Sequence, residues 1–239
     1  MSHITVIAEI GQNHNGDMRI AKQLIAQAKA QGADVAKFQL YEVDSIFPPD
    51  APWYKEAKES QLSKEQAIEL ADECARVGIE FMASVFDVER LGWCEEIGAD
   101  RYKVASRSAG DRTLIDAVAA TGKPVILSLG MWDDEEWPHV PTSSTVDYLY
   151  CVSKYPTPIE DIDFRNVKFP QPYSGFSDHT LGIEAAVTAM ARDARIIEKH
   201  FTLDKSMHGP DHVCSMNPEE LGEIVRFARS IETMLHLDE

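Results

Sequence analysis

The segments SGFSDHT (174–180), IIEKHFTL (196–203) and GPDH (209–212) decide how the chain is read. Each of the first two places a histidine, His179 or His200, at the polar end of a short apolar run, with one helix-length segment between them. In that segment Ile183, Val187, Met190 and Ala194 recur at helical spacing. Strand, helix, strand is the economical reading, and consecutive parallel strands of such a unit lie side by side. Both imidazoles then reach one rim, close enough to share one ion or one substrate. A histidine taken alone is more often a hydrogen-bonded structural residue than a ligand. This pair, flanked by Asp178, Glu198 and Asp211, reads as functional.

The same alternation extends over the rest of the chain. Residues 4–10 form an apolar run broken only by Thr5 and Glu9, as in a strand covered on both faces, and it empties into the loop GQNHNGD. A helical stripe of Ile20, Leu24, Ile25 and Ala28 stops at Gly32. VAKFQLY (35–41) is the second strand, and the polar, proline-containing stretch 42–62 that follows has the length of a functional lid or insertion. Ser63 and Gln66 form a capping box, opening a helix that Gly78 closes. Strands are expected at 79–86, 101–106, 124–130 and 146–153, and helices at 87–97, 111–121 and 218–235. The rhythm fails at 131–145, where two prolines and no apolar stripe leave room for at most a turn of helix, and 156–172 also holds little helix. Eight strand–helix units in this length favour an α/β fold of the (β/α)8 TIM-barrel type over an open sheet, with a shortened or missing helix after strand 5 and one domain over 1–239.

Composition sets outer limits. The 239 residues, 44% hydrophobic, suffice for a large core. A formal charge of −17 argues against a nucleic-acid or anionic-membrane partner, so an anionic substrate must be held by a local basic cluster. Cys74, Cys94, Cys151 and Cys214 form no CxxC pair and fit reduced thiols in a cytoplasmic protein. The first residues, MSHITVIAEIG, lack a basic region ahead of a long apolar core, and no run of about 18 apolar residues occurs. A protein that is neither exported nor membrane-bound is the expectation.

A barrel also demands that polar groups gather at the carboxyl ends of its strands. Glu9, Lys37, Gln39, Ser84, Lys103, Ser106, Ser128, Ser153, His179 and His200 all fall late in an expected strand or one step beyond. Buried unpaired lysines would cost several kcal/mol, so Lys37 and Lys103 need an anion. Glu9 or Asp178 could supply it. Two lysines and three serines at one mouth of an acidic protein point instead to a bound phosphate or carboxylate. No GxGxxG or GxxxxGK[ST] loop marks a nucleotide site.

The motifs AEIGQNHNGD (8–17), VAKFQ (35–39), YKVAS (102–106), TGKPVILSLGM (121–131), CVSKYPTP (151–158), GFSDHT (175–180), IIEKHF (196–201) and GPDH (209–212) together resemble the sialic acid (N-acetylneuraminate) synthase family. That family condenses phosphoenolpyruvate with N-acetylmannosamine or a related N-acyl aldose to give a nonulosonic acid and phosphate, for surface polysaccharides among other ends. The resemblance implies that His179 and His200 hold a divalent metal, manganese before magnesium or cobalt. It places Lys37, Ser84, Lys103, Ser106, Ser128 and Ser153 against phosphoenolpyruvate, with Ser177 also in the substrate-binding set. Gln39, Tyr155 and Asp211 fall where the acceptor sugar is held, and Glu9 and Glu198 nearest the reacting centre, so that Glu9, Lys37, Lys103 and Glu198 carry the catalysis. The partners implied are these small molecules.

Two departures from the family pattern stand out. Typical members continue into a small carboxy-terminal domain resembling antifreeze proteins, which reaches an arginine to the sugar of the partner subunit; this sequence ends at Glu239. A homo-oligomer, or a separate chain supplying the missing groups, is therefore a candidate partner. The other departure is residues 132–145, whose missing helix would bare strand surface and favour association. Two other readings remain open: a related synthase of 3-deoxy sugar acids acting on a phosphorylated aldose, and a non-catalytic sugar-binding or assembly subunit. His14 reads as loop structure or a sugar contact, and Trp53 and Tyr54 as surface packing.

Overall fold

A computed structural model describes residues 3–237. Eight parallel strands close on themselves in chain order: β1 (Thr5–Gly11), β2 (Val35–Leu40), β3 (Glu80–Val85), β4 (Tyr102–Val104), β5 (Val125–Ser128), β6 (Val146–Cys151), β7 (Gly175–Asp178) and β8 (Ile196–His200). The helices are α1 (Met18–Ala30), α2 (Val43–Ile46), α3 (Tyr54–Glu59), α4 (Lys64–Val77), α5 (Val88–Ile97), α6 (Arg112–Ala120), α7 (Glu184–Ala191) and α8 (Pro218–Met234). The expected barrel is thus the fold observed. No helix among the described residues is long and apolar enough to cross a membrane.

Local chemistry sets the helix boundaries. Ser63 caps α4 by accepting from the Gln66 amide, the Gln66 side chain returns to the cap, and Gly78 closes the helix in the left-handed region at φ +76°. Asn217 and Glu220 repeat that reciprocal cap on α8, where Pro218 occupies the first turn. The stretch 42–62, read as a long polar connection of the length of a lid or insertion, has local structure of its own. It folds into α2 and α3, which pack Val43 and Ala57 around Tyr41.

Two apolar layers result from the strand pleat. Outward residues join the helices in one large core. Inward ones form a separate cluster of Ile7, Val35, Met82, Ile126, Leu149 and Ile196 that plugs the barrel. Because side chains alternate with period two, the next inward position along the same strands holds Glu9, Lys37, Ser84, Ser128, Cys151 and Glu198. The pleat therefore seats a polar layer directly on an apolar floor.

The flank without helices is not bare, contrary to the expectation from residues 132–145. Leu129 to Thr145 contains no helix, and a single 3-10 turn (Ile159–Asp161) follows β6. Aromatic rings cover this side instead. Trp137 lies edge-on to Tyr148 and Tyr173, at 5.0 and 4.9 Å between centroids. Tyr150 stacks on Phe176, and Phe164 meets Phe176 edge-on at 5.1 Å. Such pairs add about 0.5–1.5 kcal/mol each beyond their buried area.

At Gly175 in β7 the barrel leaves no room for a side chain, since a Cβ there would lie 2.0 Å from the Ile196 carbonyl oxygen. Gly92, inside α5, has nothing within 4 Å of that position. The two substitutions should therefore move stability in opposite directions. In urea denaturation, Gly175→Ala loses about 3 kcal/mol or more through overpacking. Gly92→Ala gains about 0.5–1 kcal/mol from helix propensity and a stiffer unfolded chain.

Candidate active site

Four buried charges occupy the polar layer. Lys37 Nζ lies 2.7 Å from Glu9 Oε2 and 3.5 Å from Glu198 Oε2, and it donates to Ser84 Oγ at 3.0 Å. Lys103 Nζ lies 3.7 Å from Glu198 Oε1 and otherwise donates to the Val104 carbonyl at 3.3 Å. β4 and β8 are not neighbours, so Lys103 and Glu198 meet across the barrel axis. All four side chains are nearly inaccessible to solvent, the lysines at 1% and 2%. The sequence had placed these groups at strand ends. Lys37, Lys103 and Glu198 instead sit mid-strand, inside the lumen.

The two lysines are compensated unequally. Burial disfavours the Lys37 ammonium, but Glu198 and Glu9 more than offset it, so its pKa rises above the ordinary value. Burial prevails at Lys103, which has only the more distant Glu198 carboxylate and is lowered. Burial alone would raise the Glu198 carboxyl; Lys103 and Lys37, with a hydrogen bond from Ser177 at 3.1 Å, hold it down to about 2. Lys103 is therefore the lysine left short of an anion. Ser128 Oγ is buried with no hydrogen-bond partner, a donor facing the same lumen.

Above this layer stand the rings. His179 and His200 are 5.7 Å apart between centroids, and Tyr155 lies 4.2 Å from His179 and 6.0 Å from His200. His179 Nδ1 is 3.1 Å from the Val152 carbonyl, which can only accept, so the proton sits on Nδ1 and Nε2 keeps its lone pair. Burial and the neighbouring His200 push the His179 pKa down to about 3, leaving the ring neutral. His200 Nδ1 is buried without a hydrogen bond and faces Asp211 Oδ2 at 3.8 Å. Gln39 donates to Glu9 Oε1 at 2.9 Å. Gly11, at φ +52° where the β1 register shifts, keeps open the space between Gln39, Glu9 and His200 Cε1.

The sequence-derived residues therefore converge, with different depths. Glu9, Lys37, Ser84, Lys103, Ser128, Ser177 and Glu198 line the lumen, while His179, His200, Gln39, Tyr155 and Asp211 form the ring above it. Ser106 opens a 3-10 turn after β4 and accepts from the Met131 amide at 2.6 Å. Ser153 Oγ lies beside Gly130, 2.6 Å from where a Cβ would sit. Asp178 takes no part: its carboxylate is buried outside the lumen, bound by Lys199 at 3.0 Å and by Thr180. As a candidate partner for the lumenal lysines it is replaced by Glu198.

The fold matches known proteins. The NeuB family matches over residues 24–238. This chain belongs to the NeuB family. It is 35% identical to N,N'-diacetyllegionaminic acid synthase of Legionella pneumophila, over 96% of the chain and 72% of that protein. It is 36% identical to human N-acetylneuraminate-9-phosphate synthase, over 96% of the chain and 70% of that protein. The N-acetylneuraminic acid synthetase structure from Leptospira borgpetersenii superposes with a TM-score of 0.91 at 33% identity, over 98% of the chain and 85% of that one.

Three features of this NeuB-family site escaped the sequence, whereas His14, read as loop structure or a sugar contact, lies buried under its loop. Lys199, the residue before His200, is the partner of Asp178; alternation along IIEKH would have found it, because neighbours in a strand face opposite ways. Cys151 lies in the polar layer as a thiol raised by burial. Asn13 ties the first loop to the Phe201 carbonyl and Ser215. His14 is fully buried beneath that loop, its Nδ1 accepting from the Gly16 amide at 3.1 Å and its Nε2 unbonded.

Burial lowers the His14 pKa to about 4, the Gly11 carbonyl acting in opposition. The unfolded chain takes up that proton near 6.5 and the folded one does not. Stability linked to His14 is thus full above pH 6.5 and lost as pH falls toward 4. Between these values each such group contributes a slope of about 1.4 kcal/mol per pH unit. Chemical denaturation of wild type and His14→Asn at pH 6.5 and 4.5 should show the variant losing less stability by about 2 kcal/mol over that interval.

Proposed function

We propose that this chain condenses phosphoenolpyruvate with an N-acyl aldose such as N-acetylmannosamine, giving a nonulosonic acid and phosphate. The observation that carries this reading is the lumenal layer: an under-compensated Lys103, a Lys37 held by two carboxylates and an unbonded Ser128, all beneath the paired rings of His179 and His200. Phosphoenolpyruvate supplies the anion that Lys103 lacks, and its phosphate and carboxylate match the mixed lysine and serine donors. The names of the relatives support the same class of product.

A divalent ion fits the upper ring. His179 presents a free Nε2 while its Nδ1–H is fixed by a backbone carbonyl, an outer-shell bond common to metal-binding imidazoles, and His200 keeps a buried Nδ1 unbonded. Among the described residues no third His, Cys, Asp or Glu completes a cluster, so His179 and His200 would hold the ion with waters or substrate oxygens in the other positions. Manganese suits that imidazole and oxygen donor set, and such an ion supplies Lewis acidity at the acceptor aldehyde.

The residues themselves do the remaining work. Lys37 and Lys103, with Ser84, Ser106 and Ser128, fix the enol phosphate with C3 toward the acceptor. Gln39, Tyr155 and Asp211 hold the sugar over it. C3 attacks the aldehyde carbon, positive charge forms at C2, and water adds there. Glu198 stabilises that charge as a carboxylate, Glu9 takes up the proton released by the water, and the former aldehyde oxygen gains a proton to become a hydroxyl. Phosphate then leaves by cleavage of its bond to C2, the C2 hydroxyl losing its proton to become the keto group. Little rearrangement is needed at that moment, because the lysines and carboxylates already face one another across the lumen.

Incubation with manganese, phosphoenolpyruvate and N-acetylmannosamine, with phosphate release as readout, tests this function. Release should depend on the N-acyl sugar and stop on chelation. Lys103→Met should lower kcat/KM by about 10²-fold or more, and His200→Gln should abolish turnover while the circular dichroism spectrum stays that of the wild type. Release only with phosphorylated aldoses of other classes would favour the 3-deoxy sugar acid synthase. No release with any acceptor would favour a binding role.

A further inference from the structure

We infer that Arg107 is a phosphate-holding cation over the mouth of the barrel, an inference that rests on the proposed substrate class. It follows Ser106 in the 3-10 turn after β4. Its guanidinium lies 4.8 Å over the Phe47 ring and donates to the Ile46 carbonyl at 3.4 Å, both in the connection after β2. The turn after β4 and the connection after β2 both leave the carboxyl ends of their strands, so the guanidinium lies on the face where the barrel opens.

What it lacks is a carboxylate. Most arginines of this acidic chain are held by acids, among them Arg90 by Glu42, Arg101 by Glu80, Arg112 by Asp116 and Arg229 by Asp34, whereas Arg192 is spent on the Phe164 and Val167 carbonyls and Arg226 lies over Phe227. Arg107 has no carboxylate within ion-pair distance among the described residues, and it is exposed to solvent. Its face is preset by the Phe47 stack, which lowers the cost of fixing it on a ligand.

Charge balance below points to the same role. The two lysines and two carboxylates of the lumenal layer cancel. A phosphate monoester carries about −1.5 to −2 at neutral pH, and phosphoenolpyruvate adds a carboxylate. The layer therefore leaves negative charge unmatched at the opening, where a planar five-donor guanidinium suits phosphate oxygens. That phosphate comes either from the enol phosphate below or from a phosphorylated N-acyl aldose above.

Arg107→Gln and Arg107→Lys in the full chain test the inference. Inorganic phosphate, phosphoenolpyruvate and N-acetylmannosamine 6-phosphate serve as probes in thermal-shift titrations. These need no turnover, so the outcome is independent of whether the proposed reaction occurs. Wild type should bind, Arg107→Gln should bind about tenfold more weakly or worse, and Arg107→Lys should recover part of the loss. A loss confined to phosphoenolpyruvate assigns the site to the enol phosphate, and one confined to the sugar phosphate assigns it to the acceptor. In turnover, KM for that substrate should rise while kcat stays within about threefold. Equal affinities of wild type and Arg107→Gln for all three probes, or no binding by either, overturn the inference. A lower melting temperature without ligand, and no change in affinity, also overturns it, since Arg107 would then only clasp Phe47 and Ile46.

Discussion

Everything in this barrel is arranged around four charges that water cannot reach. Lys37, Glu9, Glu198 and Lys103 lie in one lumenal layer, and isolated burial of any of them would cost several kcal/mol. Mutual pairing makes the set neutral, so the barrel can close without a ligand. The pairing is uneven, with Lys37 between two carboxylates and Lys103 at 3.7 Å from one. That unevenness converts a structural ion network into a binding device. A ligand anion at Lys103 completes a shell that the protein leaves short, and binding need not break Lys37 from Glu9.

The layer stays in place because the fold is rigid on both sides of it. Below lies the plug of Ile7, Val35, Met82, Ile126, Leu149 and Ile196. Around it the strands are braced by helices, except beside β5 to β7, where rings from the connecting segments replace them. Aromatic packing on that flank frees the chain at 129–145 and 152–172 from helical geometry. The same segments carry Tyr155, Ser153 and Met131 to the mouth, so the loss of helix and the shape of the site have one cause.

Much of this was legible in the sequence. Caps at Ser63 and Gly78, period-two strands and paired histidines are local signals, and each survived folding because no tertiary contact opposed it. Depth was not legible. Lys37 and Lys103 look like strand-end residues in a linear reading, because the tilt and stagger of a closed barrel, which sink them into the lumen, arise only from pairing all eight strands. Partner choice was lost for the same reason. Asp178 and Glu198 are both acids next to a histidine or lysine, and only the pleat decides that one faces Lys199 and the other the lumen. The folding of 42–62 into α2 and α3 was hidden by its prolines, which sit between the helices rather than inside them.

Depth also constrains the order of events under the proposed chemistry. The lysine layer is inside the lumen, whereas His179, His200 and Tyr155 ring the opening above it. A sugar held by Gln39, Tyr155 and Asp211 would sit between that ring and Lys103. The anion must then enter before the acceptor and leave after it, and the acceptor closes the lumen over the enol phosphate. Such closure removes bulk water from a site whose donors are already charged, which strengthens each electrostatic contact when positive charge develops at C2. One water must remain to add there, and the gap beside Gly11, bordered by Glu9, Gln39 and His200, is a polar place to hold it.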